Sequence, residues 1–508
     1  MDADNASPGI ARCSHALARI PNAWWMVLAA LVLALAGFFG GERVAVNGGF
    51  GWDGVIYAHW AQNFQEEVFV QGVDSYYVKR ILPSAVVHYS MRLLTVPRTD
   101  RNVILAFGLL DVGLITLMAW LWGRIARQLY IGDRGQWLGF VGLFVNYIIL
   151  KHTFYCPVTT DVAGFALGAA MLWCYLDGRR IALGAVIVAG AFTWPMTIHI
   201  GALLLIFPRD PVVDREAAPA RPIWPLLAAS VLTVVTLVAI KFALRHPPNP
   251  NYVPFLTPVR AVLNLSIGIS LVYLFLGTAC LLDHDRLFAI RRLLTRQRLA
   301  AGLLVLALNL AIGYVQHRWA VRGSEFGIGA LLPQTAYATV AKPGVFLVTH
   351  VAYYGPMFLL ALFLWRPVCR LLHQHGLGLT LAVWAGLILS LNSQSRFALN
   401  VWVLLVPFIV KATERLGWGL RQYGLIAGLA LLGSKVWLTI NCGPFTGKLL
   451  EFPDQYLFMS HGPWISHDMY LVQGAVFVVA AALLYVVCFR QAAAGQSQGT
   501  GDTIRLAA

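Results

Sequence analysis

The chain has 508 residues, of which 58% are hydrophobic and 12% charged, with a net charge of +15. A soluble domain carries roughly 25% charged residues, and no long stretch here is polar enough to form one, which excludes an array of soluble domains. The bases fall mainly in short links between apolar runs, the pattern that orients membrane helices, so no nucleic-acid partner is expected.

Taken in order, Arg12 and Arg19 precede an apolar run from Ala23 to Phe39. That run is too long for the core of a cleaved signal peptide and is read as an uncleaved first helix. On a ruler of about 20 apolar residues per crossing, spans are expected near 22–40, 103–122, 135–150, 160–177, 181–193, 196–207, 223–243, 261–282, 299–316, 345–366, 377–391, 398–411, 421–440 and 469–489. The fold class is therefore an all-α polytopic membrane protein of about 14 transmembrane helices (range 11–14). Residues 181–207 are too long for one helix, and Thr193-Trp194-Pro195 interrupts them. Proline lacks the N–H that a continuing helix needs, so a hairpin is expected there.

The basic links support that split. Arg124, Arg127 and Arg134, Arg179 and Arg180, Arg209, Arg215 and Arg221, the cluster from Arg286 to Arg298, Arg366 and Arg370, and Lys411, Arg415 and Arg421 all fall inside only if 181–207 is a hairpin. Both termini are then cytoplasmic. Residues 1–490 are read as one polytopic domain, and 491–508, rich in Ser, Gly and Gln, as a disordered cytoplasmic tail. The Ala/Gly/Arg-rich composition points to a bacterial inner membrane.

The outer links differ in kind. The longest is 41–102, followed by 244–260, 317–344 and 441–468, all rich in Pro, Gly, aromatics and single polar residues. Chemistry is expected on this face, which would be periplasmic, with 41–102 as the catalytic loop. Its piece 81–94 follows Arg80 and carries His88 and Arg92, which favours a short helix lying at the membrane surface over one dipping into it. Seven cysteines are scattered without metal-ligand spacing; Cys156 and Cys442 both lie outside and could pair.

Within 41–102, Gly51-Trp52-Asp53-Gly54 sets one acid in a glycine-rich turn, followed by Tyr57, Trp60 and then Tyr76-Tyr77-Val78-Lys79-Arg80. Asp53 could be an ordinary Asp-Gly turn, or the cap of a helix starting at Gly54. The aromatic surround favours a general base within reach of an incoming hydroxyl. Lys79 and Arg80 could meet lipid headgroups or bind a phosphate at that depth, where Arg can be bidentate. Asp161, after Lys151, His152 and Tyr155, could cap its helix or line the site. Asp111 lies deeper, where a buried interhelical hydrogen bond or a functional role would each fit, and Asn309, His199 and Lys241 carry less signal. Arg396 in Gln394-Ser395-Arg396-Phe397 could bind a second phosphate oxygen. His461 and His467, in the late loop with Trp464 and Asp468, are too isolated for a metal site.

A first helix, a long outer loop bearing Gly51-Trp52-Asp53-Gly54, an aromatic piece ending in Arg80-Ile81-Leu82-Pro83 and a late Ser395-Arg396-Phe397 resemble the GT-C superfamily of membrane glycosyltransferases. That superfamily includes protein O-mannosyltransferases, aminoarabinose transferases and oligosaccharyltransferases. Many relatives show a second acid beside the first-loop Asp. Trp52 holds that position here, leaving Asp161 as the second carboxylate and putting a metal-assisted mechanism (Mg or Mn) in question.

The resemblance implies inverting transfer of a hexosyl or related sugar from a polyprenyl-phosphate-linked donor to a lipid, glycan or protein acceptor, at the outer face among membrane lipids. Asp53 is then the catalytic base, Arg80, Lys79 and Arg396 the donor-phosphate ligands, and Trp52, Tyr57, Tyr77, Asp161, His152 and Lys151 the substrate-binding set. Two rivals stand beside it. A lipid-linked-sugar flippase would show internal repeats and mid-membrane charges. An O-antigen polymerase or ligase would place its key bases in one large late loop, whereas 317–344 holds only Arg318, Arg322 and Lys342.

Overall fold

The computed structural model describes residues 22–210, 223–247, 257–283, 288, 294–321, 328–441 and 465–490. Arg12, Arg19, Arg215, Arg221, Cys442, His461, Trp464 and the tail 491–508 lie outside them. Among the described residues the chain is helical, with no strand and one isolated bridge, Val73 to Ala320. The expected all-α class stands.

The helices, numbered in chain order, are α1 (Asn22–Gly40), α2 (Gly54–Phe64), α3 (Ile81–Leu93), α4 (Asp100–Gln128), α5 (Asp133–Phe144), α6 (Asp161–Leu176), α7 (Arg180–Ala191) and α8 (Met196–Ile206). They continue as α9 (Trp224–Arg245), α10 (Leu263–Leu282), α11 (Arg296–Trp319), α12 (Ile328–Ala338), α13 (Val345–Tyr354), α14 (Pro356–Phe363), α15 (Trp365–His375), α16 (Leu377–Leu389), α17 (Leu399–Glu414), α18 (Leu420–Gly433) and α19 (His467–Leu484).

Seven described helices are long and apolar enough to cross a bilayer, or nine counting each of two bent pairs as one span. The other expected spans fall on shorter or bent helices, and the reason is local. Five apolar helices, α6, α7, α8, α13 and α16, have only 10–17 residues, short of the roughly 20 that a bilayer core requires. The expected span 135–150 is bent by 52° after α5. There Asn146 Nδ2 donates to the Gly142 and Leu143 carbonyls and its Oδ1 accepts from the Ile149 N–H, drawing backbone partners away from the ladder. The expected span 345–366 breaks at Gly355, where Pro356 supplies no N–H, and α14 meets α15 at 82°. The multi-pass character is plain: α9 and α11 present Val231, Val234, Val235, Val238, Leu303, Leu304 and Leu310, each more than half exposed. Apolar faces that broad are at home in hydrocarbon, not water.

The hairpin forms as the proline predicts. Helices α7 and α8 pack on each other across Phe192–Pro195, and α8 starts directly after Pro195. A large core joins α1, α4, α5, α6 and α13 through α17. A second, smaller core belongs to the first outer loop: Tyr57, Trp60, Phe64, Val68, Val78, Ile81 and Val87 close around Phe107 and Val158. Helices α2 and α3 are cross-linked there, Ser84 Oγ donating to the Tyr57 carbonyl at 2.9 Å and His88 Nδ1 bonding the Ala61 carbonyl at 2.9 Å.

The start of that loop is tied to the late outer link. Glu42 pairs with Lys151 and accepts from the backbone N–H groups of Ile440 and Asn441, while Lys151 Nζ also donates to the Leu438 carbonyl at 2.6 Å. Burial opposes ionisation of Glu42, but these three donors and the Lys151 charge hold its carboxyl below the ordinary value. A carboxylate depressed in the folded state adds stability above its unfolded pKa and loses it as pH falls through the folded value. Thermal stability is therefore expected to decline as pH drops below about 4.5, the ordinary Glu value, and Glu42→Gln should flatten that part of the profile. An unchanged slope in the variant would remove Glu42 from the acid sensitivity.

Candidate active site

Four short segments and the first turn of one helix converge on one buried cluster: the turn 51–54, the stretch 76–82, the first turn of α6, the hairpin tip 192–195, and the turn Ser395–Ala398 before α17. Each is held by contacts readable residue by residue.

In the first turn, Asn47 Nδ2 donates to the Gly51 carbonyl at 2.7 Å, and Gly51 has φ +76°, a left-handed backbone that a side chain resists. Gly54 is needed for closeness, since a Cβ there would stand 2.8 Å from the Val158 carbonyl oxygen. The loop thus lies flat on Cys156–Val158, just ahead of Thr160 and Asp161. Helix α2 starts at Gly54 as expected, but the capping role does not hold: the Asp53 side chain accepts no cap hydrogen bond. Its Oδ1 instead lies 3.5 Å from the Tyr77 hydroxyl. Gly54→Ala is accordingly expected to cost about 1–3 kcal/mol by overpacking and to displace Asp53. Thermal unfolding checks this; a wild-type midpoint would show that the loop yields freely.

Arg80 ends the turn Tyr77–Arg80 and is 3% exposed. The Leu82 N–H donates to the Phe192 carbonyl at 2.8 Å, tethering this stretch to the hairpin tip and setting the Arg80 guanidinium 5.2 Å from the centre of the Trp194 ring. It also lies 4.9 Å from the Tyr76 ring, and its Nη1 donates to the Tyr57 hydroxyl at 3.4 Å. Arg396 approaches the same indole at 5.7 Å, and its Nη2 donates to Asp161 Oδ2 at 3.1 Å. Asp161 is the first residue of α6 rather than its cap, a place Thr160 takes, so its carboxylate is free for that pair.

Within this cluster Arg80 Nε, Arg396 Nε, Trp194 Nε1, Thr160 Oγ1 and Asp161 Oδ1 are buried with no hydrogen-bond partner. Among the described residues no carboxylate is within ion-pair distance of Arg80. A buried guanidinium with open donors and no counter-ion is costly unless an anion joins it.

The aromatic residues divide. Tyr57, Trp60 and Tyr77 pack at 5.8 to 6.2 Å between ring centres, Tyr77 edge on to the other two, and the first two are buried, so they form the wall behind Asp53. Burial, with Asp53 adding to it, pushes the Tyr57 hydroxyl up to about 12 and raises that of Tyr77 as well. Both remain proton donors at neutral pH. Trp52 turns the other way, onto the apolar cluster of Val44, Val46, Tyr155, Cys156 and Ile440. His152 is buried against the Tyr147 and Tyr353 rings, within electrostatic reach of Asp161 and Arg396. Lys151 is spent on Glu42 and Leu438, and Lys79 is half-buried within electrostatic reach of His199.

Asp111 lies in electrostatic reach of Asp161, and its Oδ2 is buried without a partner. Asn309 only back-bonds to the Val305 carbonyl of its own helix. Cys156 is free and buried, with Cys442 outside the described residues. Among the described residues no group of three or more His, Cys, Asp or Glu side chains is set to hold a metal ion.

Sequence reasoning missed the residues that aim the others. Trp194 passed only as part of a helix break, yet its ring lies within 6 Å of both guanidiniums. His350 bonds Ser395 Oγ through Nδ1 at 2.8 Å and the Ser390 carbonyl through Nε2 at 2.7 Å, while the Tyr354 hydroxyl donates to the Ser395 carbonyl at 2.7 Å. Together they fix the Arg396 turn. Asn400 clamps α17 to α6 through the Gly164 carbonyl at 2.6 Å. A polar residue amid an apolar run was the available signal for His350 and Asn400.

No family model matches the chain, and no curated protein matches it. Among solved structures it is similar to an archaeal oligosaccharyltransferase, AglB from Archaeoglobus fulgidus, in complex with an inhibitory peptide and a dolichol-phosphate. Identity is 12% and the TM-score 0.41, over 92% of this chain and 56% of that one. This chain therefore spans little more than half the length of that protein, and likeness at this level assigns no residue a role.

Proposed function

We propose that the protein is a GT-C-type membrane glycosyltransferase that moves a sugar from a polyprenyl-phosphate-linked donor to an acceptor at the outer face of the membrane. The observation that carries this reading is the pair of guanidiniums on one indole, Arg80 buried and Arg396 half-buried, each with a buried and unpartnered Nε. An anionic headgroup supplies what they lack. A phosphodiester accepts from Arg80 and from Arg396 in charge-assisted bonds, each stronger than a neutral one.

The sugar then lies toward Asp53. An acceptor hydroxyl gives its proton to the Asp53 carboxylate as its oxygen attacks the anomeric carbon. The bond from that carbon to the phosphate oxygen breaks on the opposite side, so configuration inverts. The departing polyprenyl phosphate keeps the electron pair, and the guanidiniums offset its added charge. Tyr77 donates toward Asp53 Oδ1 and orients it. Asp161 holds Arg396 in place and is the second carboxylate of the site. Lys79 adds positive charge near the donor, and His152 with Asp111 lines the deeper side. The acceptor is a lipid, glycan or protein, the membrane a bacterial inner membrane, and the site periplasmic with both termini cytoplasmic.

The decisive experiment compares membranes with and without the gene by mass analysis of the lipid and glycan fractions. A sugar-bearing product that depends on the gene and on Asp53 supports the reading. Movement of the lipid-linked donor across vesicles with no glycosidic product would replace it with a flippase.

A further inference from the structure

Helices α4 and α6 run parallel: Asp111 and Asp161 are near one another at one end, and Gln128 Nε2 donates to Asp177 Oδ1 at 2.9 Å at the other. From Asp161 to Asp177 the chain descends about 24 Å. At that far end a cavity of about 300 Å³ is lined by Arg124, Arg127, Gln128, Trp173, Asp177 and Arg179. By the distribution of basic links this is the cytoplasmic end.

The lining is built to receive an anion. Three guanidiniums face one carboxylate, and Asp177 is already taken by Arg179 and Gln128. Among the described residues Arg124 and Arg127 have no carboxylate within ion-pair distance. The cations are oriented by aromatic faces: Arg124 stands 4.9 Å from the Trp120 ring and Arg179 4.6 Å from Trp173, and the two indoles meet edge on at 5.9 Å. Arg127 Nε is fixed by the Gly123 carbonyl at 3.2 Å. One acceptor is left over, since Gln128 Oε1 is buried without a partner. A ligand that fits must bring both a negative group for the arginines and a hydroxyl or ammonium donor for Gln128.

The rim decides between a soluble phosphate ester and a lipid. Tyr130 and Ile181, two residues beyond Gln128 and Arg179, are 86% and 92% exposed. Large side chains so open, two residues along the chain from the lining, belong at the headgroup–acyl boundary. We propose that this cavity binds the headgroup of an anionic glycerophospholipid, with the phosphodiester on Arg124 and Arg127 and a headgroup hydroxyl donating to Gln128. Basic pockets between transmembrane helices on the cytoplasmic side take such headgroups. The site is independent of the chemistry proposed at the other end.

The test is native mass spectrometry of the full-length protein in detergent, titrated separately with phosphatidylglycerol, phosphatidylcholine and glycerol 3-phosphate. Phosphatidylglycerol should be retained over phosphatidylcholine, and Arg124→Gln with Arg127→Gln should weaken it roughly 30-fold. The charge-matched pair Arg366→Gln with Arg370→Gln, in another basic link, should leave retention unchanged. Equal retention of the two lipids, no effect of the first pair, or an equal effect of the second would overturn the site. Glycerol 3-phosphate binding as tightly as the lipid would overturn its assignment to a membrane ligand.

Discussion

Asp53→Asn is expected to cut sugar transfer by about 10²–10⁴-fold, the usual worth of a positioned general base, while the protein stays folded and inserted. The amide has the carboxylate's shape but takes no proton. The fold should tolerate it because Asp53 does not cap α2 and forms no ion pair among those found between described residues. The loop is held by Asn47, Gly51 and Gly54 against Val158 instead. The loss should fall on kcat with donor KM little changed, since donor binding is assigned to the arginines. Full activity in a folded variant would remove the general-base role.

The second large effect is on the donor. Arg80→Ala should raise donor KM by about 10–100-fold, the equivalent of one or two charge-assisted hydrogen bonds. A merely structural Arg80 would behave differently. Among the described residues its buried charge has no carboxylate partner, so Arg80→Met, which keeps the packing on Tyr76 and Trp194, should leave the unliganded protein at least as stable as wild type. The same variant should lose the stabilisation that donor binding brings. A lower Tm without donor, or an unchanged KM in Arg80→Ala, would make Arg80 a structural residue.

The segments on which this site is built were legible in advance because their signals are local. Apolar runs separated by arginines state a polytopic helical protein, and Pro195 states a break wherever the helix around it packs. Glycines flanking Trp52 and Asp53 state a turn, whatever it faces. The number of crossings was less legible. Whether ten to seventeen apolar residues span alone, bend or pair depends on neighbours, as Asn146 and Pro356 show.

Sequence alone thus determined the helical, polytopic class of the molecule, the long aromatic loop and the residue types that it carries. Only the tertiary structure decided which of them meet. It brought Arg396 to Asp161 across 235 positions and set Trp194 against two guanidiniums, while turning Lys151 to Glu42 and Trp52 into an apolar cluster. Periodicity and composition report the burial of a residue on its own element. Partnership between distant side chains follows from how helices pack, and no single stretch of chain carries that information.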